Sequence, residues 1–473
     1  MKTVPQSREV VKQVLKLVEV HRAAFGQERV YLRGMGLVLG ELLAFGQHRI
    51  TDLLRGIGCA GEDWSAWYRL FQQPGRFDEE RAGAILVQET MKEVEADGLY
   101  VVGVDTTTVA RDSQKMEGTS WLKCPRNPAW MPGIHRAQRF LNGSWFTPLV
   151  NGLSRAIPLR FLPAFTEKAV TVTHPPQKEH AVGITFVQWV RRQLDGAGRN
   201  LQTLLCLADG SYDKPDFWLG LPANTVALVR TAKNRALCCF PAAYMGRGRR
   251  RIYGDPAPAP QAYLQDKNGW KTLQVTVRGH TRRMVYRIEG PFLRRTMAAV
   301  PLMLICVRGQ SWTRAQRAKR RQPCFYVVNA QCKQGTWQLP LPIETLLAWA
   351  WQRWELEVVH REVKSILGLG DKQCFHPLAA VTSVQWSAWV YSLLMLVGFR
   401  TYSFAPVPRL TAWQRHPRRY SLNLLLDQSR LELTTDPLFS PLFSSSSRNW
   451  LDLEATLARF CFALRDSPSS LPP

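Results

Sequence analysis

A chain of 473 residues with 45% hydrophobic and 21% charged residues has the composition of an ordinary globular protein, long enough for two or three domains, which excludes a disordered or fibrous polypeptide. Its 62 Lys and Arg against 37 Asp and Glu leave a formal net charge of +25, pointing to a polyanionic partner, nucleic acid first and an anionic membrane second. Ten cysteines without any CxxC spacing exclude a zinc ribbon or a disulfide framework and read as reduced thiols.

The start, MKTVPQSREVVKQ, is polar and lacks the apolar core of a signal peptide, so a cytoplasmic, nucleoid-associated protein is expected. Residues 1–98 are expected to be helical, because Val10, Val11, Val14, Leu15, Leu17 and Val18 recur at helical spacing, as do Ile50, Leu53, Leu54 and Ile57. Within them HRITDLLRGIG, His48 to Gly58, reads either as the recognition helix of a helix-turn-helix, with Arg49 and Arg55 facing DNA, or as a plain scaffold helix.

YVVGVDTTTVAR, Tyr100 to Arg111, is a β-branched strand that runs into Asp105. A carboxylate at a strand end either caps the next turn or serves a ligand, since ligands of open α/β sheets sit there. LQTLLCLADGSYD, Leu201 to Asp213, repeats the design with Asp209. A helix around His180 to Leu194 lies between the two, and TVALVRT follows as another strand. Strands alternating with helices predict an α/β sheet. From Arg235 to Pro340, proline turns and the hairpin-like strands LQVTVRG, RMVYRIEG, LMLICVRG and CFYVVN predict a β-rich insert. It carries the basic runs RGRRR (Arg247 to Arg251) and RAQRAKRR (Arg314 to Arg321), and its Trp270 or Trp312 either stacks on an unpaired base or packs.

IETLLAWAWQRWELEVVHREVKSILGL, from Ile343, is expected to be one helix. At about 100° per residue, Arg353, Glu357, His360, Arg361 and Lys364 share one polar stripe, while Glu355 and Glu362 point nearly opposite. The stripe is either a solvated face of i,i+4 pairs or, beside two strand-end aspartates, the seat of a third acid, Glu357. Cys374 to Phe399 holds no Asp, Glu, Lys or Arg and is expected to be a buried core helix rather than a membrane span. Beyond Tyr402 the chain is rich in proline and arginine, then helical, with a disordered tail, SPSSLPP.

The spacing Arg353, three residues, Glu357, six residues, Lys364, followed by Leu367-Gly368-Leu369, resembles the Tyr-Arg-Glu-Lys signature of bacterial insertion-sequence transposases of the Asp-Asp-Glu type. VDTTTVAR and LADGSYDKPDF look like that family's two aspartate motifs. Ala350 departs from the pattern where tyrosine is frequent, between Trp349 and Trp351. The resemblance implies an α/β fold, a ribonuclease H-like catalytic core interrupted by a β-rich insert, with helical N-terminal and C-terminal regions. Its divisions would be a DNA-binding domain (1–98), the first part of the core (99–234), the insert (235–340), the catalytic and following helices (341–402) and a C-terminal helical region with the disordered tail (403–473). Catalysis and metal binding would fall to Asp105, Asp209 and Glu357, holding two Mg2+ ions that Mn2+ can replace. Arg353 and Lys364, with His360 and Arg361 beside them, would contact DNA, as would Arg249, Arg250 and Arg251 of the insert. The implied activity is cleavage at terminal inverted repeats and transfer of the 3′ ends to target DNA by a homodimer. A nuclease without strand transfer and a catalytically silent DNA-binding regulator are the alternatives.

Overall fold

A computed structural model describes residues 9–59, 61, 63–124, 133–244, 246, 249–309, 322–405 and 419–435. The chain opens with α1 (Val10–Val20), α2 (Glu28–Leu43), α3 (Ile50–Gly56), α4 (Ser65–Gln72) and α5 (Glu79–Met91). There follow β1 (Tyr100–Ala110), β2 (Thr119–Lys123), β3 (Ile134–Phe146), β4 (Ala156–Pro163), α6 (Glu179–Gly196), β5 (Leu204–Ala208), α7 (Pro215–Leu219) and β6 (Thr225–Arg230). Six more strands are β7 (Lys271–Val277), β8 (His280–Phe292), β9 (Leu302–Val307), β10 (Cys324–Asn329), β11 (Gln331–Lys333) and β12 (Thr336–Gln338). Then come α8 (Ile343–Gln352), α9 (Trp354–Ser365), α10 (Pro377–Tyr402) and α11 (Leu422–Thr435).

One large mixed sheet runs β2-β3-β1-β5-β6-β10-β9-β8-β7, with β4 also paired to β3. β1, β5 and β6 are parallel neighbours, and β3 lies antiparallel to β1. The order β4-β3-β1-β5-β6 is compatible with a ribonuclease H-like fold. The long strands between 271 and 329 continue this same sheet beyond β6 in antiparallel order.

The apolar runs of the central strands are covered on both faces. Side chains alternate along a strand, and β3 shows which helix covers which face. A Cβ added at Gly143 would meet Phe186 of α6 at 2.4 Å, whereas the preceding residue, Asn142, reaches His360 of α9. At Gly103 a Cβ would fall 2.6 Å from Phe146 and 3.1 Å from Leu356, so the missing side chain lets α9 seat on β1. β1 does not end at Asp105 as expected. Pairing with β3 holds it extended from Asp105↔Asn142 to Ala110↔Ala137, although β5 leaves after Val104↔Ala208.

Helix α10 is long and apolar enough to cross a bilayer, yet 94% of its most apolar 18-residue window is buried inside the fold. Trp386 and Trp389 stand 5.0 Å apart between ring centres, with Phe77 5.2 Å from Trp386 and Phe25 6.1 Å from Trp389. These contacts dock the N-terminal helices on α10, and emptying one such tryptophan site costs about 3–5 kcal/mol. Glu432 of α11 accepts hydrogen bonds from the Val10 and Val11 N–H groups (3.0 and 2.8 Å), satisfying the buried first turn of α1 from the far end of the chain.

Buried Glu41 is paired with His48 and with Lys372 at 2.7 Å, and Asp371 accepts from the His48 N–H at 2.9 Å. Burial works against the Glu41 charge, but Lys372 and His48 outweigh it and hold the carboxyl below its usual range. His48 therefore joins the N-terminal helices to the loop after α9. Arg49 and Arg55 flank Asp52 at 4.0 and 3.1 Å. RAQRAKRR, Arg247, Trp312 and the SPSSLPP tail lie outside the described residues.

Candidate active site

The parallel pairing of β1 with β5 ends on Val104↔Ala208, which brings the next residues, Asp105 and Asp209, side by side where β5 ends and β1 runs on along β3. Asp209 ends its strand because it caps the turn that follows, one oxygen accepting from the Ser211 N–H (2.9 Å) and hydroxyl (2.7 Å). Asp105 Oδ1 accepts from the Thr106 N–H at 2.8 Å, and its other oxygen turns to α9.

The expected single helix from Ile343 is two, α8 and α9, meeting at Arg353. The Leu356 N–H bonds back three residues to the Arg353 carbonyl (3.0 Å) and Arg353 has φ −51° and ψ −31°, so one tight 3₁₀-like turn interrupts the α-helical ladder. The Arg353 guanidinium bridges two acids. Its Nη1 lies 3.4 Å from Asp105 Oδ2 and its Nη2 3.2 Å from Glu357 Oε1.

Burial pushes the Asp105 carboxyl up to about 7; Arg353 opposes the rise, Asp209 and Glu357 add to it, and the Thr106 N–H opposes it again. Burial is thus the first cause of the rise, and Arg353 the first that opposes it. Burial first, then Lys364 and Arg353, lower the His360 imidazole to about 3, and the ring pairs with Asn142 of β3 at 3.2 Å.

Glu355 and Glu362 do point away from Glu357, but they are far from idle. Arg155, 3% exposed, reaches them at 3.6 and 3.7 Å; Tyr391 donates to Glu362 at 2.7 Å and Arg419 to Glu355 at 3.0 Å. Arg361 is exposed and Lys364 half-buried on α9. Two open cavities adjoin the acids, one of about 650 Å³ lined by Asp209, Arg230, Lys233, Gln322 and Arg353, the other of about 410 Å³ between the β7–β9 strands and α8. Arg249, Arg250 and Arg251 are exposed on an irregular stretch and line neither of them.

The second cavity is walled by Arg230, Arg278, Arg282, Arg308 and Arg353. Sequence reasoning missed this wall, though a signal was there: TVALVRT, LQVTVRG and LICVRG each carry Val-Arg just before their last residue, and all three arginines line it. Trp270 is covered on one face by Arg308, 4.1 Å from its ring centre, and donates to the Asp266 carbonyl.

A family model described as DDE superfamily endonuclease matches residues 23–289, more than half of the chain. The chain belongs to the DDE superfamily endonucleases. No curated protein matches it. The matched stretch holds Asp105 and Asp209 and stops short of Glu357, which Arg353 links to Asp105. Membership in this endonuclease superfamily carries a nuclease or transposase type of activity, and with it a DNA substrate.

Such nucleases typically use divalent metals. Among the described residues, no three His, Cys, Asp or Glu side chains form a ready-made ligand group. The donor chemistry nonetheless fits. Asp105, Asp209 and Glu357 offer only hard carboxylate oxygens, as Mg2+ requires, and Asp105 and Glu357 already share one cation, the Arg353 guanidinium. Sequence reasoning also missed Asp213, buried and held by Arg235 (2.7 Å), Arg294 (2.8 Å) and Thr231 (2.7 Å), which ties the Asp209 turn to the strands beyond β6. Its four-residue spacing after Asp209 was visible but carried no chemistry of its own.

Proposed function

We propose that this DDE endonuclease is the transposase of an insertion sequence, which binds the terminal inverted repeats of its element, cuts there and transfers the 3′ ends to target DNA. The observation that supports it best is Asp105 beside Asp209 on neighbouring parallel strands, with Arg353 bridging Asp105 to Glu357. Asp105, Asp209 and Glu357 would hold two Mg2+ ions, or Mn2+ in their place. Bound there, such ions activate an attacking oxygen and stabilise the leaving one.

The chain's own residues do the rest. Burial keeps water from screening Asp105. Neutral His360 holds α9 against β3 through Asn142, fixing Glu357 relative to Asp105. Arg353, Arg361 and Lys364 would grip phosphates beside the cut, Arg230, Arg278 and Arg308 would follow the strand along the cavities, and Arg249, Arg250 and Arg251 would add outlying charge. Two ends must be cut together, so the protein would act as a homodimer on DNA, in the cytoplasm and on the nucleoid. With α10 packed against β4, we propose no membrane association, which fractionation after a high-salt wash tests directly.

The deciding experiment uses the DNA flanking the gene. Short inverted repeats bounding it, placed on linear fragments with Mg2+ and a circular target, should yield cut ends and joined products. Asp105→Asn and Asp209→Asn should abolish both while binding survives. Cutting without joining would favour a nuclease, and binding without cutting a silent regulator.

A further inference from the structure

Arg353 sits where two kinds of partner compete for it. Its guanidinium lies between Asp105 Oδ2 (3.4 Å) and Glu357 Oε1 (3.2 Å), and its side chain is 18% exposed. The same side chain lines both open cavities, beside Arg230 and Gln322 in each. Its backbone is the one tight turn between α8 and α9, so it swings from a joint and not from the middle of a regular helix.

A divalent cation held by Asp105 and Glu357 would compete with Arg353 for the same two carboxylates, and it would repel the guanidinium across a few ångströms. Displaced, Arg353 would enter cavities already walled by Arg230, Arg278, Arg282 and Arg308, where another cation is unfavourable without an anion. A DNA phosphate supplies that anion.

We propose that Arg353 is an exchangeable internal counter-ion that couples metal uptake to DNA binding: it holds the acids together in the free protein and leaves them for a DNA phosphate when metal enters. The inference rests on the metal-site reading proposed for Asp105, Asp209 and Glu357 and extends it. Coupling of this kind is reciprocal, so DNA must tighten metal binding by the factor by which metal tightens DNA binding. The free protein would be a poor metal binder, charged for cutting only once DNA lies in the cavities.

The test is calorimetric titration of the full chain with Mn2+, with and without a short random-sequence duplex. Wild type should bind Mn2+ about tenfold more tightly with duplex present, within the usual range of coupled sites. Arg353→Gln should bind Mn2+ more tightly than wild type without DNA, by a similar factor, and should lose the enhancement by duplex. Arg353→Lys, which keeps the charge but cannot span both carboxylates, should fall between the two and guards against a folding defect in the first variant. Unchanged or weaker Mn2+ binding by both variants without DNA would overturn the exchange while leaving the metal site standing. Absence of Mn2+ binding by wild type under either condition would overturn the metal site itself.

Discussion

Helix α9 carries three glutamates with two electrostatic fates. Glu355 and Glu362 are buried and met by Arg155, Arg419 and the Tyr391 hydroxyl. Glu357, half-exposed one face away, shares a single arginine with Asp105 while Asp209 adds further negative charge. Buried charge that finds partners inside the fold fixes the helix in place. Converging charge left short of partners is what a ligand from outside completes.

The largest test of this contrast is Arg155→Met. It removes the one guanidinium that the two buried carboxylates share, leaving Glu355 to Arg419 and Glu362 to the Tyr391 hydroxyl, so urea unfolding should show a loss of about 3–5 kcal/mol. A loss below about 1 kcal/mol would mean that the two clusters do not differ in this way. For the acid cluster the sign reverses. The Asp105 carboxyl is raised from 3.8 to about 7 in the fold, so over that interval the folded protein keeps a proton that the unfolded chain has lost, and stability falls as pH rises through it. At about 1.4 kcal/mol per unit the ceiling is about 4 kcal/mol. Metal-free Asp105→Asn should therefore match wild type near pH 4 and exceed it above pH 7 in unfolding experiments at both pH values. A wild type that gained on the variant as pH rose would contradict the raised Asp105 carboxyl.

Tyr391→Phe sharpens the matched side by removing one hydrogen bond to a charged group, at about 1–3 kcal/mol of stability. It should leave the Asp105-dependent pH profile unchanged. The smallest effect concerns the cavity wall. Changing Arg230, Arg278 and Arg308 together to Gln should flatten the salt dependence of duplex binding, the log–log slope falling by up to about 0.9 for each phosphate no longer neutralised. Changing Arg249, Arg250 and Arg251 should flatten it less, since none of them lines a cavity.

Much of the contrast was legible in the sequence because it depends on local period. The phase of α9 separates Glu357 from Glu355 and Glu362, and apolar runs ending in Asp105 and Asp209 mark two strands. What the sequence did not disclose depends on pairing across the chain. β1 continues past Asp105 only because β3 holds it, and Arg155, the partner of two α9 glutamates, lies about two hundred residues upstream. No proline or glycine announces the turn at Arg353. His360 reads as a possible phosphate contact on a helical wheel, and its pairing with Asn142 depends on where β3 lies. The arginines ending three strands could be seen, but that they share a wall follows only from the order β6-β10-β9-β8-β7.

The central claim, that Glu357 completes one cutting site with Asp105 and Asp209, is tested most directly by cleavage of end DNA by Glu357→Gln, measured beside DNA affinity and thermal unfolding. Lost cutting with affinity and melting near those of wild type is the predicted result. Cutting that survives in Glu357→Gln but disappears in a folded Glu355→Gln or Glu362→Gln would contradict it.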